Sequence, residues 1–118
     1  AGLVETGEAM TDAAVREFHE ETGLHLKVIP ADDMYTKPRF TTVGMTDEAC
    51  GMVYGYASGV PDNRFEESSE DIQVVLADKK EVRRILKEEN VAMMCAYMLL
   101  HFLKSEGDPL GFVEMKDK

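Results

Sequence analysis

Three glutamates, Glu17, Glu20 and Glu21, follow one another at positions i, i+3 and i+4. On an α-helix this spacing places all three carboxylates on one face, where like charges repel unless a cation lies between them. Mg²⁺ prefers carboxylate oxygens as ligands. The spacing is therefore compatible with a magnesium site, although three glutamates alone are more typical of a solvated acidic helix face.

The residues before and after these glutamates form a longer pattern with fixed spacing. Gly2 is followed by five spacer residues, Glu8 and seven further spacers, and then by the run Arg-Glu-Phe-His-Glu-Glu-Thr-Gly-Leu at 16–24. This stretch, residues 2–24, resembles the Nudix box, and every fixed position of that pattern is filled. The resemblance implies that the ligands of Mg²⁺ (or Mn²⁺) are Glu17, Glu20, Glu21 and the backbone carbonyl of Ala1.

Arg16 lies directly before the first of the three glutamates, and its guanidinium can pair with a carboxylate and orient it. The expected partners are Glu8 and Glu20. Gly7 allows the loop before the helix to fold back over the helix start. We therefore expect Arg16 and Glu20 to take part in catalysis.

Two further stretches resemble the ADP-ribose or ADP-sugar pyrophosphatase branch of the Nudix family. Residues 1–5, Ala-Gly-Leu-Val-Glu, followed by Gly7-Glu8, are similar to the way that branch opens its box. Residues 43–48, Val-Gly-Met-Thr-Asp-Glu, resemble its loop, although Thr42-Val43 stand where Ser-Pro is common. In that branch the loop glutamate activates water, and the resemblance assigns this role to Glu48.

The implied activity is Mg²⁺-dependent hydrolysis of a nucleoside diphosphate linked to another moiety. ADP-ribose or an ADP-sugar would give AMP and a sugar phosphate. The substrate could instead be another nucleotide sugar, a dinucleotide polyphosphate or an oxidised nucleotide. A catalytically silent Nudix domain that binds a nucleotide or a partner protein is a further alternative, but the presence of every box carboxylate together with Glu48 favours an enzyme.

Composition narrows the classes of partner. The 118 residues carry a net charge of −10, which argues against binding to nucleic acid or to an anionic membrane surface. No stretch approaches the roughly 20 apolar residues of a membrane span. Cys50 and Cys95 are too few and too far apart for a disulfide framework, so we expect free thiols and a cytoplasmic protein.

Periodicity and capping residues predict the elements that position the box. We expect a helix at Ala13–Glu21, capped by Thr11 or Asp12 and ended by Gly23. A second helix is predicted at Lys79–Glu89, capped by Asp78, with Val82, Ile85 and Leu86 buried. A third is predicted at 91–104, capped by Asn90, and its apolar face includes Met94, Cys95, Met98 and Phe102. The predicted strands are Leu24–Ile29, part of Met34–Thr42, Gly51–Ser58 and a buried Ile72–Leu76.

The resemblance implies an α/β fold, a Nudix-type α/β/α sandwich with a mixed sheet. In that fold several strands precede the box, whereas here the box begins at residue 2. We therefore expect residues 1–118 to be the C-terminal portion of a Nudix domain that lacks the N-terminal strands. Exposed strand edges and apolar faces favour pairing between copies, so a homodimer is expected.

Overall fold

The computed structural model describes residues 3–62 and 72–114. The helices are α1 (Met10–Thr22), α2 (Asp33–Thr36), α3 (Lys79–Glu88), α4 (Met93–Lys104) and α5 (Gly111–Glu114). The strands are β1 (His25–Val28), β2 (Arg39–Phe40), β3 (Ala49–Cys50) and β4 (Gly55–Ser58). Helices and sheets are combined as an α/β fold requires. The sheets in the described residues are antiparallel pairs, and the sandwich with a mixed sheet stays a prediction.

The chain divides into two compact units. One consists of residues 1–74 together with 113–118, and the other of residues 75–112. In the described residues of both units, no helix is long and apolar enough to cross a bilayer. Cys50 and Cys95 are free thiols, as predicted.

The first unit contains the helix of the box and a two-stranded sheet. β1 pairs with β4 in antiparallel register from His25↔Ser58 to Val28↔Gly55. A Cβ on Gly55 would lie 2.4 Å from the Lys27 carbonyl oxygen, so only glycine allows the strands to approach this closely. The predicted strand at 51–58 is confirmed for its second half.

The core of this unit lies where α1 packs on β1. Its buried side chains include Ala13, Leu24, Ile29 and Tyr54. The backbone continues the sheet beyond β1, because the Ile29 amide donates to the Tyr54 carbonyl at 2.9 Å. The predicted strand at Leu24–Ile29 is confirmed in its centre.

Helix α1 begins earlier than its polar residues suggest. It starts at Met10 with Ala9 as the N-cap, and the Ala13 amide donates to the Ala9 carbonyl at 3.0 Å. The predicted cap at Thr11 or Asp12 is therefore wrong. Both residues lie in the first turn, where the negative charge of Asp12 is favourable to the helix dipole.

The segment predicted to contain a short strand is divided between two elements. Its first part is the single turn α2, whose N-cap Asp32 accepts a hydrogen bond from the Met34 amide at 3.0 Å. Its second part is β2, which pairs with β3 in the register Arg39↔Cys50 and Phe40↔Ala49. Residues 39–50 form a β-hairpin, and we refer to them as the hairpin.

The second unit is built from α3 and α4. The side chain of Asp78 accepts the Glu81 amide, so the predicted cap of α3 is confirmed, and Val82 is buried with Ile85 and Leu86 partly covered. Lys79 joins the two helices, since its Nζ donates to the Ser105 carbonyl and lies 5.9 Å from the centre of the Phe102 ring.

Two expectations for the later part of the chain are wrong. Ile72–Leu76 is not a strand, and Val75 and Leu76 are exposed. Helix α4 begins at Met93 with Ala92 as its N-cap, so Asn90 does not cap it. The apolar residues of α4 extend around more than one face of the helix, but α3 covers only one of these faces. Met94 and Cys95 are therefore exposed.

Candidate functional site

The guanidinium of Arg16 lies at the centre of the box. Its Nε donates to Glu8 Oε2 and its Nη2 donates to Glu8 Oε1, each at 3.0 Å. The two residues therefore form a bidentate arginine–carboxylate ion pair. Nη2 also donates to the Leu3 carbonyl at 3.0 Å. Arg16 therefore fastens the segment before α1 to the middle of the helix.

The remaining guanidinium nitrogen contacts two of the predicted metal ligands. Arg16 Nη1 donates to Glu17 Oε1 at 3.0 Å and to Glu20 Oε2 at 3.4 Å. The two carboxylates thus share one cationic nitrogen, which offsets part of their mutual repulsion. We call Glu8, Glu17 and Glu20 around Arg16 the carboxylate cluster.

Ion pairing in the carboxylate cluster shifts the proton affinity of its members. The hydrogen bonds from Arg16, together with one from the Glu5 amide, hold the pKa of Glu8 below its usual range. Hydrogen bonds to Glu8 and Glu17 in turn raise the pKa of Arg16. The Glu8 side chain is 18% exposed and that of Arg16 26%, so water reaches both only in part. Glu8 therefore gives up its proton more readily than a glutamate without these contacts.

The end of α1 is held in place by a turn at Gly23. The Thr22 hydroxyl donates to the Phe18 carbonyl at 2.6 Å and accepts the Leu24 amide at 3.0 Å. Gly23 has a φ of 76°, and a Cβ there would lie 2.3 Å from the backbone oxygen of Asp62. Only glycine satisfies both conditions, and this turn follows directly on Glu20 and Glu21.

Asp62 is a neighbour of the box that sequence reasoning missed. Its amide donates to the Thr22 carbonyl at 2.6 Å and closes the C-terminal end of α1. The glycine at position 23 indicates a tight turn, but nothing in the sequence indicates which segment approaches it.

Two histidines lie beside the box. The rings of His19 and His25 stack with their centres 4.8 Å apart and 19° between their planes. His19 Nδ1 lies 3.4 Å from the Leu24 carbonyl oxygen. These contacts join α1 to the start of β1, which is a structural role.

Glu48 lies at the end of the hairpin loop and is exposed. Its amide donates to Thr46 Oγ1 at 3.1 Å, and its carbonyl accepts the Thr41 amide at 3.2 Å. Its carboxylate Oε1 lies 3.7 Å from Cys50 Sγ. In residues 3–62 and 72–114 these hydrogen bonds all stay inside the hairpin, so the structure brings Arg16 to its predicted partners but does not join Glu48 to them by a direct contact.

The metal ligands predicted from the sequence can be compared with these positions. Glu17, Glu20 and Glu21 are all partly buried on α1, whereas Ala1 lies outside the described residues. In the part of the chain that the structure describes, no three His, Cys, Asp or Glu side chains are arranged as a group that could hold a metal ion. By donor type the glutamates fit Mg²⁺ or Mn²⁺, because they offer only carboxylate oxygens, but the Arg16 contacts already use oxygens of Glu17 and Glu20.

Comparison with known proteins identifies the class to which this site belongs. The family described as NUDIX domain matches residues 1–93. A Caenorhabditis elegans protein named "Putative nudix hydrolase 2" is 35% identical over 85 residues, which cover 67% of this chain and 36% of the nematode protein. No solved structure matches the chain significantly. The chain belongs to the Nudix family, and it spans about a third of the length of this curated relative.

Proposed function

We propose that this chain acts as a Mg²⁺-dependent (or Mn²⁺-dependent) Nudix hydrolase that cleaves a nucleoside diphosphate linked to another moiety. The observation that carries the proposal is the carboxylate cluster, in which one arginine contacts Glu8, Glu17 and Glu20 at once. Membership of the Nudix family and the similarity to a protein named as a Nudix hydrolase support the same enzyme class.

The proposed metal ligands are Glu17, Glu20 and Glu21 together with the carbonyl of Ala1. A bound divalent cation would neutralise negative charge on the diphosphate and make its phosphorus more electrophilic. Within the chain, Arg16 limits where the carboxylates of Glu17 and Glu20 can point, because both accept from the same nitrogen. Glu8 in turn fixes Arg16 through two bonds.

The proposed substrate is ADP-ribose or an ADP-sugar. Water adds to one phosphorus, the bond between that phosphorus and the bridging oxygen breaks, and ADP-ribose gives AMP and ribose 5-phosphate. Glu48 would take the proton from the attacking water. This role requires the hairpin to bring Glu48 to the substrate, because its described contacts are all within the hairpin.

The α/β/α sandwich, the homodimer and the cytoplasmic location belong to the same proposal. The similarity to the Nudix family supports the sandwich. Sedimentation velocity measures whether the chain is a dimer, and a monomer at micromolar concentration would remove that part of the proposal.

The experiment that tests the function measures release of AMP from ADP-ribose with Mg²⁺ and with Mn²⁺. We expect Glu20→Gln to lower kcat by about 100-fold or more, because it removes a charged ligand. Asp12→Asn is the matched control, since Asp12 is an exposed carboxylate on the same helix outside the fixed positions of the box. ADP-glucose, diadenosine tetraphosphate and an oxidised nucleoside triphosphate, assayed in parallel, distinguish the substrate classes.

A binding assay separates the enzyme from the alternative of a silent domain. Isothermal titration with ADP-ribose detects binding whether or not cleavage follows. Binding without hydrolysis of any substrate of the panel, each followed by its own products, would contradict the proposed activity and favour a nucleotide-binding domain.

A further inference from the structure

Glu48 and Cys50 lie two residues apart where the hairpin loop enters β3. Side chains at i and i+2 of an extended chain point to the same side. Accordingly, Cys50 Sγ lies 3.7 Å from Glu48 Oε1, within the range of a weak hydrogen bond from a thiol to a carboxylate oxygen.

The two residues differ in how firmly they are held. Glu48 is exposed, whereas Cys50 is half-buried and paired with Arg39 across the hairpin. The next residue, Gly51, packs tightly on α1, because a Cβ there would lie 2.2 Å from Met10 Sδ and 2.9 Å from the Thr36 carbonyl oxygen. The thiol is thus attached to the packed part of the first unit, and Glu48 is not.

Other polar groups of the hairpin are directed elsewhere. Arg39 Nη2 donates to the Met34 carbonyl at 2.9 Å, and Thr46 Oγ1 bonds the Glu48 amide rather than its carboxylate. Among the described residues, the hydrogen bond that the Glu48 carboxylate accepts is the one from Cys50.

We propose that Cys50 is a positioning residue for the Glu48 carboxylate. Its thiol restricts the directions in which an otherwise exposed side chain can point, and so increases the fraction of molecules in which Glu48 is oriented for proton transfer. This inference rests on the proposed role of Glu48 as the group that activates water.

Substitutions at Cys50 test the role through the kinetic parameter that they change. Removing a weak hydrogen bond in Cys50→Ala should lower kcat by roughly three- to tenfold and leave KM unchanged. Cys50→Ser keeps a donor at the same position and should restore most of the loss. Cys95→Ala is the control, since Cys95 is an exposed cysteine on α4, and it should leave kcat unchanged. A Cys50→Ala variant with normal kcat, or a Ser variant as slow as the Ala variant, would contradict the proposal.

A double substitution separates this inference from the proposed function. If Cys50 acts through Glu48, Cys50→Ala should have no further effect in a Glu48→Gln background. A Glu48→Gln variant with full activity would refute the role of Glu48 and the positioning role with it. A slow Glu48→Gln variant that slows further with Cys50→Ala would refute only the positioning role.

An NMR measurement tests the contact without relying on activity. The side-chain carboxyl ¹³C resonance of Glu48 should move in Cys50→Ala and stay in place in Cys95→Ala. An unmoved resonance would overturn the inference even in a chain that hydrolyses none of the substrates.

Discussion

Arg16 holds both carboxylate oxygens of Glu8, with Nε–Oε2 and Nη2–Oε1 distances of 3.0 Å each. The two residues are eight positions apart in the sequence, and their pairing joins the segment before α1 to the middle of the helix. The same guanidinium reaches Glu17 and Glu20 with its third nitrogen. The orientation of two proposed metal ligands therefore depends on the planar, forked shape of arginine as well as on its charge.

The shape requirement predicts the effect of Arg16→Lys. Lysine keeps the positive charge but has one nitrogen, so it cannot contact Glu8 twice while also reaching Glu17 and Glu20. We expect kcat/KM for AMP release to fall by about 10- to 100-fold and more Mg²⁺ to be needed for half-maximal activity, as is typical when a partner of metal ligands is lost. A Mg²⁺ titration of initial rates measures both effects.

Arg84→Lys is a closely matched control for this substitution. Arg84 also pairs with three glutamates, Glu81, Glu88 and Glu89, but these lie in and just after α3 in the second unit. Its replacement should leave kcat/KM and the Mg²⁺ requirement unchanged. Equal losses in the two variants would show that the effect of Arg16→Lys comes from stability rather than from the box.

The Glu8–Arg16 pair also predicts how stability depends on pH. The hydrogen bonds from Arg16 and from the Glu5 amide lower the pKa of Glu8 in the folded chain, whereas in the unfolded chain it is about 4.3. The pair therefore contributes its full stability above the unfolded pKa and loses it as the pH falls through the lowered folded value.

Unfolding in urea at several pH values measures this contribution. The free energy of unfolding of the native chain should exceed that of Glu8→Gln by the largest amount near pH 7, and the difference should shrink as the pH falls below about 4. Glu106→Gln, which changes an exposed carboxylate in the second unit, should show no comparable trend. A difference between the native chain and Glu8→Gln that is constant from pH 7 to pH 2 would contradict the assigned role of the Arg16 contact.

The parts of the site that are local in sequence could be predicted from the sequence. Helix α1, its end at Gly23 and the pairing of Arg16 with Glu8 and Glu20 depend on residues fewer than ten positions apart. Helical spacing and left-handed glycine geometry indicate such features directly. The cap at Ala9 was missed because alanine carries no side-chain signal, and the helix start is determined by backbone hydrogen bonds.

The non-local features could not be predicted in the same way. Ile72–Leu76 is apolar enough for a buried strand, but a strand also needs a neighbour to pair with, and its sequence does not show whether one exists. The approach of Asp62 to Gly23 likewise depends on a segment almost 40 positions away. The position of Glu48 relative to the box is also non-local, so the family resemblance could suggest a role for it without placing it.

Two glycines of the box, Gly7 and Gly23, should differ in how much stability is lost when each is replaced by alanine. Gly7 and Gly23 have φ values of 79° and 76°, so alanine at either position must adopt the left-handed conformation, at a cost of about 1–2 kcal/mol. At Gly7 a Cβ would have no atom within 4 Å, whereas at Gly23 it would lie 2.3 Å from the Asp62 carbonyl oxygen. Gly23→Ala must therefore also displace the backbone of Asp62 and break its 2.6 Å hydrogen bond to the Thr22 carbonyl.

We expect Gly23→Ala to lower the free energy of unfolding by roughly 3 kcal/mol or more, against about 1–2 kcal/mol for Gly7→Ala. Urea unfolding of the two variants at pH 7 measures the difference, and equal losses would show that the close approach of Asp62 does not constrain the end of α1.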